Sequence, residues 1–236
     1  MSHPKSHEWR NAVAGMSSLG KAMTKSGTDH ELGALSARYE TSGRGPGTVS
    51  SGRGDAGGIS YGSYQLASKL GRPEEFLGKE GHRWVSEFGL TKSGTPAFSR
   101  IWKSIAAREP EVFQLAQHAF IRRTHYDVQI AHVRQATGVD LDRWSNAVRD
   151  AVWSTAVQHG PLTPIVVRVM NAEPAHDRAM LIALYAERGR RKPDGNLAYF
   201  SRNSLAVQAG VAARFKTELK DALAMLDAEA GGPASG

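Results

Sequence analysis

Residues 34–66 read ALSARYETSGRGPGTVSSGRGDAGGISYGSYQL. An apolar, helix-like segment ends on a single glutamate, Glu40. Glycines at 43, 45, 47, 52, 54, 57 and 58 and Pro46 follow, with one acid among them, Asp55. Such a run cannot persist as a helix. Thr48-Val49-Ser50 and Ile59-Ser60-Tyr61 flank the turn and predict a small β-hairpin, the one β signal in the chain. Two carboxylates held apart by a flexible turn are also the groups that glycosidic bond hydrolysis requires.

Outward from this stretch the pattern is helical. Thr28-Asp29-His30-Glu31 has the form of a capping box, and Leu32, Leu35, Ser36 and Tyr39 then share one helical face. The patterning predicts one or two short helices over 73–89, ending at Gly89, and another over 96–108. A long helix is expected from Pro110 to about Gln135. Asp140 or Asp142 is expected to cap the next one, which stops at Gly160-Pro161. Helices near 164–171 and 175–188 and a last one over about 204–228 complete the series. The expected fold class is mainly α. The expected organisation is an N-terminal arm over 1–27, one domain over 28–230 and a disordered tail over 231–236.

Length and composition set bounds. At 236 residues, 40% hydrophobic and 22% charged, the chain can bury one sizeable core. Thirty Lys and Arg against 23 Asp and Glu give a net charge of +7, with a pI near 9.8. The surplus favours polyanions such as nucleic acid, anionic lipid or bacterial wall polymer, and disfavours a cationic polymer such as chitosan. With no cysteine, disulfides, thiolate catalysis and cysteine-based zinc sites are excluded. The opening MSHPKSHEWRNAVAGMSSLGKAM lacks the apolar centre of a secretory leader, and no segment approaches a membrane span. The expectation is synthesis in the cytoplasm without a signal peptide and no transmembrane segment.

Glu40, after Tyr39 at the end of an apolar helix, suits a carboxyl kept protonated as a general acid. Asp55 sits in a solvated glycine-rich turn that keeps its carboxylate ionised, as a base needs. Ser60, Tyr61, Tyr64, Gln65, Gln158 and His159 are the expected substrate contacts. In a regular strand Tyr61 and Tyr64 cannot face the same side, so one is expected in a cleft and one packed. His118, His125 and His132 recur every seven residues, but that spacing advances a helix roughly 10 Å, too far for one ion. No metal and no cofactor are expected. Arg188, Arg190, Arg191 and Lys192 read as a solvated basic run. No nucleic-acid-binding motif accompanies them, and no nucleic-acid partner is expected.

These residues resemble the lysozyme-like superfamily, nearest to phage endolysins, phage structural lysins and type VI secretion effector lysozymes. The resemblance rests on Ala37-Arg38-Tyr39-Glu40-Thr41 and on the run from Gly52 through Asp55, Tyr61-Gly62 and Tyr64 to Gln65. Phe113 to Tyr126, Trp153 to Gly160 and Tyr199 to Phe215 extend it. It implies a lysozyme-like fold with a hairpin beside a cleft, and a muramidase cutting the β-1,4 bond between N-acetylmuramic acid and N-acetylglucosamine. Glu40 would be its acid and Asp55 its second carboxylate. It further implies peptidoglycan as the partner, action in the periplasm or on the cell wall, and delivery by a phage or a secretion device, with an immunity protein as a further partner. Anionic cell-surface polymers are a further expected contact. Lytic transglycosylase or chitosanase chemistry on the same fold, and a non-catalytic basic module binding wall or nucleic acid, are the alternatives.

Overall fold

The computed structural model describes residues 30–35 and 45–231. The capping box at Thr28-Asp29, the helix face at Ser36 and Tyr39, and Glu40 itself lie outside the described residues. The chain divides into two units, Met1–Glu31 and Leu32–Gly236, and every feature below belongs to the second.

That unit is mainly helical. Among the described residues its one sheet is a pair of two-residue antiparallel strands, β1 (Ser60–Tyr61) and β2 (Leu66–Ala67), with Ser60 opposite Ala67 and Tyr61 opposite Leu66. The expected pairing across the glycine-rich turn is present only as a bridge between Val49 and Tyr61, with Ser50 N donating to Ser60 O at 2.9 Å. The ladder itself closes over the tighter Gly62–Gln65 turn. Tyr-Gly-Ser-Tyr-Gln is therefore a corner and not a continuous strand. Gly62 has φ +76°, and Gln65 follows at φ +55°.

Helices α1 (Arg72–Leu77) and α2 (Val85–Phe88) come next, joined through a 3₁₀ turn at His82–Trp84. Helix α3 (Pro96–Arg108) begins with a Thr95 side-chain cap and proline in its first turn, a start that costs no backbone donor. Helix α4 (Pro110–Ile121) passes through a five-residue π segment, Arg122–Tyr126, into α5 (Asp127–Thr137). One uninterrupted helix over 110–135 is thus corrected to two with a wide turn between them. Thr124 Oγ1 donates to Phe120 O at 2.8 Å and so competes for a helix carbonyl at that wide turn.

Helix α6 (Asn146–His159) is capped by Ser145, whose Oγ accepts from Val148 N. Asp140 caps only a 3₁₀ turn, Leu141–Arg143, so neither expected aspartate starts the long helix. Helices α7 (Ile165–Met170), α8 (Asp177–Arg188) and α9 (Leu205–Ala230) follow, and α7, α8 and α9 all pack against α6.

The first half of the core is aromatic. Phe76, Trp84, Phe98, Trp102, Phe113 and Phe120 are all essentially inaccessible. Trp102 and Phe113 meet edge to face with centroids 4.8 Å apart, as do Trp84 and Phe113. The hairpin is tied to this core by one carboxamide. Fully buried Gln117 of α4 accepts from Ser63 N at 3.1 Å and donates to Pro46 O at 3.0 Å. Trp102 Nε1 donates to the same carbonyl at 2.8 Å. A Cβ at Gly62 would lie 2.1 Å from Gln117 Oε1, so only glycine fits there.

Gly62→Ala is accordingly expected to destabilise the fold by about 2–4 kcal/mol, combining left-handed strain and overpacking. Urea unfolding should show a lower midpoint at unchanged slope. An unchanged midpoint would mean that the corner is not held against Gln117.

Candidate functional site

Two grooves open beside elements that the sequence singles out. The first, about 340 Å³, lies at the hairpin and is lined by Ser51, Gly52, Gly58, Ile59, Ser68, Lys69, Ser93 and Gly94. Asp55 is not part of its wall. Asp55 is exposed, and its Oδ1 accepts from Gly57 N at 2.7 Å, the hydrogen bond of an Asx turn. Tyr61 is a core residue with no accessible surface; its hydroxyl bonds Ser99 Oγ and accepts from Gly94 N, both at 2.9 Å. Ser60 is also buried. Tyr64 is half-buried and reaches His118 Nδ1 at 2.8 Å, while the His118 ring stacks on Trp153 at 4.6 Å. Gln65 folds back to donate to Gly62 O at 3.1 Å.

The second groove, about 590 Å³, is bounded by the C-terminal end of α6 and the Tyr199-Phe200 loop. It contains Gln158 and His159 together with Leu162, Thr163, Tyr199 and Phe200. The structure thus puts Gln158 and His159 in one site, away from Asp55, which lines neither groove. The ring of His159 meets Tyr199 and Phe200 nearly edge on, with centroids 5.5 and 5.4 Å away.

Beneath this groove is a buried ionic cluster that the sequence does not announce. Arg188 reads as part of a solvated basic run; in the fold it has no accessible surface. Its Nη1 lies 3.1 Å from Glu218 Oε2, and its Nη2 donates to Gln158 Oε1 at 2.6 Å and to Ser154 Oγ at 3.1 Å. Ser154 Oγ donates in turn to Glu218 Oε2 at 3.2 Å, and Arg214 pairs with the other carboxylate oxygen. The burial of Arg188 follows from its place at the end of α8, one turn after Leu184 and Tyr185, where the stem continues an apolar face. That i, i+4 relation to Leu184 was the available signal. Charge counting hid it.

The cluster sets the chemistry of the groove. Because Gln158 spends its carbonyl on Arg188, its amide N–H₂ is left as the polar group it can offer. Burial, with Arg188 and then Arg214 nearby, pushes the His159 imidazole down to about 3. His159 is therefore neutral at physiological pH. The groove is uncharged and aromatic, with donors at one end. Among the described residues no group of His, Asp or Glu could hold a metal ion. No helix there is long and apolar enough to cross a membrane.

Residues 32–219 match the family described as "Type VI secretion system spike protein VgrG3-like, C-terminal". The chain is also 41% identical over 142 residues to the type VI secretion system spike protein VgrG3 of Vibrio cholerae serotype O1. That match covers 60% of this chain and 14% of the relative. Both findings correct the resemblance to lysozyme-like hydrolases. The family and the relative are those of a secretion spike. The muramidase activity, the glycoside hydrolase class and the endolysin, bacteriolytic and wall-degrading roles drawn from that resemblance are withdrawn on this ground. Glu40 lies outside the described residues, and Asp55 lines neither groove.

The ionic cluster makes a stability prediction. Arg188→Met, which removes the main partner of a buried carboxylate, should cost about 3–5 kcal/mol in urea unfolding. The double variant Arg188→Met, Glu218→Leu should be more stable than that single variant, because no buried charge is then stranded. Additive losses would show that the two side chains do not interact.

Proposed function

Because the chain belongs to the type VI secretion spike protein VgrG3-like C-terminal family, we propose that it is a module carried on a secretion spike and delivered with it. The observation that carries this reading is the match over 32–219, which begins where the compact unit Leu32–Gly236 begins. The chain spans 14% of the length of its Vibrio cholerae relative, as one passenger module of a much longer spike would. Its partner on this reading is the secretion apparatus. Delivery would place it in the periplasm or at the wall of a target cell.

A finer fold reading accompanies this one. A short hairpin docked by Gln117 beside a helical lobe supports a lysozyme-like arrangement as architecture alone; fold carries no activity with it. Gln158 and His159 are the ligand-contacting residues of this reading, since both line the groove and both present neutral groups to it. An uncharged ligand with hydrogen-bond acceptors and a flat apolar face fits that lining.

The test is secretion. The chain, epitope-tagged at its native locus, should be found in the culture medium of a strain with a working type VI apparatus. It should be absent from the medium of an otherwise identical strain lacking the contractile components. Equal amounts in both media would contradict the reading.

A further inference from the structure

A third cavity shares no lining residue with either groove. Helices α8 and α9 run antiparallel, with Arg178 pairing with Asp227 at one end and Arg188 lying over the Phe215 ring at the other. Between them is a trough of about 400 Å³. Its length is set by residues 182–189, two helical turns or roughly 10 Å. The trough exists because small residues, Ala186, Gly189 and Ala212, stand where the two helices face each other. Ile182, 48% exposed, and Leu219 form apolar walls.

The charges on this trough are one-sided. Arg191 and Lys216 line it, and among the described residues no carboxylate does. The acids nearby are turned elsewhere: Glu187 is taken by Arg190 and Tyr199, and Glu218 is buried against Arg188 and Arg214. Arg191 donates to Gly195 O at 2.6 Å, an uncharged partner, and keeps its charge uncompensated among the described residues. An apolar floor between cations is complementary to a segment with apolar side chains on one face and carboxylates beside them.

The segment's conformation follows from the same lining. Most lining residues stand inside α8 and α9, whose backbone groups are already paired within their own helices. An extended strand would bury unpaired N–H and C=O groups there, whereas a helix satisfies its own. A helix laid along a trough between two helices also finds ridges and grooves to match.

We propose that the α8–α9 trough is a docking site for an acidic amphipathic helix of a partner protein. The proposal is independent of the secretion reading.

The test uses fluorescence anisotropy with a labelled synthetic peptide. The probe is a helix-forming 16-mer with leucines at i, i+3 and i+7 and glutamates flanking them; its twin carries lysine for glutamate. The full chain should bind the acidic peptide at least tenfold more tightly than the basic twin, more weakly as salt rises. The double variant Arg191→Glu, Lys216→Glu should weaken binding at least tenfold. Ala186→Trp, an exposed position whose new ring fills the trough, should abolish binding while leaving the circular dichroism spectrum unchanged. Equal binding of the two peptides would overturn the proposal. So would acidic-peptide binding that survives Ala186→Trp, since that means non-specific attraction to a basic surface. Competition by a DNA duplex that is insensitive to Ala186→Trp would point to the same non-specific attraction and would likewise overturn it.

Discussion

The buried contact between Arg188 and Glu218 is the constraint on which the second half of this molecule depends. A guanidinium and a carboxylate, both out of solvent, are tolerable because each faces the opposite charge and further polar partners, Ser154 and Gln158 on Arg188 Nη2 and Ser154 and Arg214 on Glu218. The engagement comes from α6, whose face carries Asp150, Ser154 and Gln158 at successive i, i+4 positions. Ser154 and Gln158 bind the ionic pair from below, and α8 and α9 supply its two halves. Asp150, one turn earlier, accepts from Gly33 N at 2.7 Å and Leu35 N at 2.9 Å. A single polar stripe on a buried helix thus holds the segment at Gly33–Leu35 to two helices near the chain's end. A Cβ at Gly33 would come 2.8 Å from the Trp153 ring, so the same helix also dictates glycine there.

The groove at Gln158 and His159 inherits its properties from that constraint. Arg188 orients the Gln158 amide, and the two arginines with burial keep His159 neutral. Its walls carry aromatic rings and no unpaired charge. The trough between α8 and α9 lies beside the same junction with the opposite character, apolar at its floor and cationic along its edges. One ionic core thus shapes two dissimilar surfaces.

Much of the architecture was legible where local chemistry is strong. Thr95 and Pro96 mark the start of α3, Ser204 that of α9, and Gly89 and Gly160 mark stops, each for a reason confined to a few residues. Where the deciding contact is distant, the reading fails. Gly62 looks like one more glycine in a rich run until Gln117, fifty-five positions away, is seen to occupy the space of its missing Cβ. Asp140 caps the 3₁₀ turn at Leu141, and Ser145, five residues on, starts the long helix instead. The π segment follows a side-chain bond at Thr124 that no periodicity reveals. Arg188 looked solvated because its neighbours are. The candidate site suffered most. Gln158 and His159 share a groove, whereas Tyr61 is core and Asp55 is a turn acceptor. The motif built around them carried a family name that the match to a spike protein replaces.

The most direct test of this account is a histidine titration by nuclear magnetic resonance on the intact chain. The His159 signal is assigned by its loss in His159→Asn and followed from pH 8 to pH 4. A neutral imidazole closed in by Arg188 and Arg214 should show almost no change in chemical shift above pH 4, since its transition lies at about 3. A full transition near the ordinary histidine value of about 6.5 would contradict it, and would mean that the junction of α6, α8 and α9 is open to water.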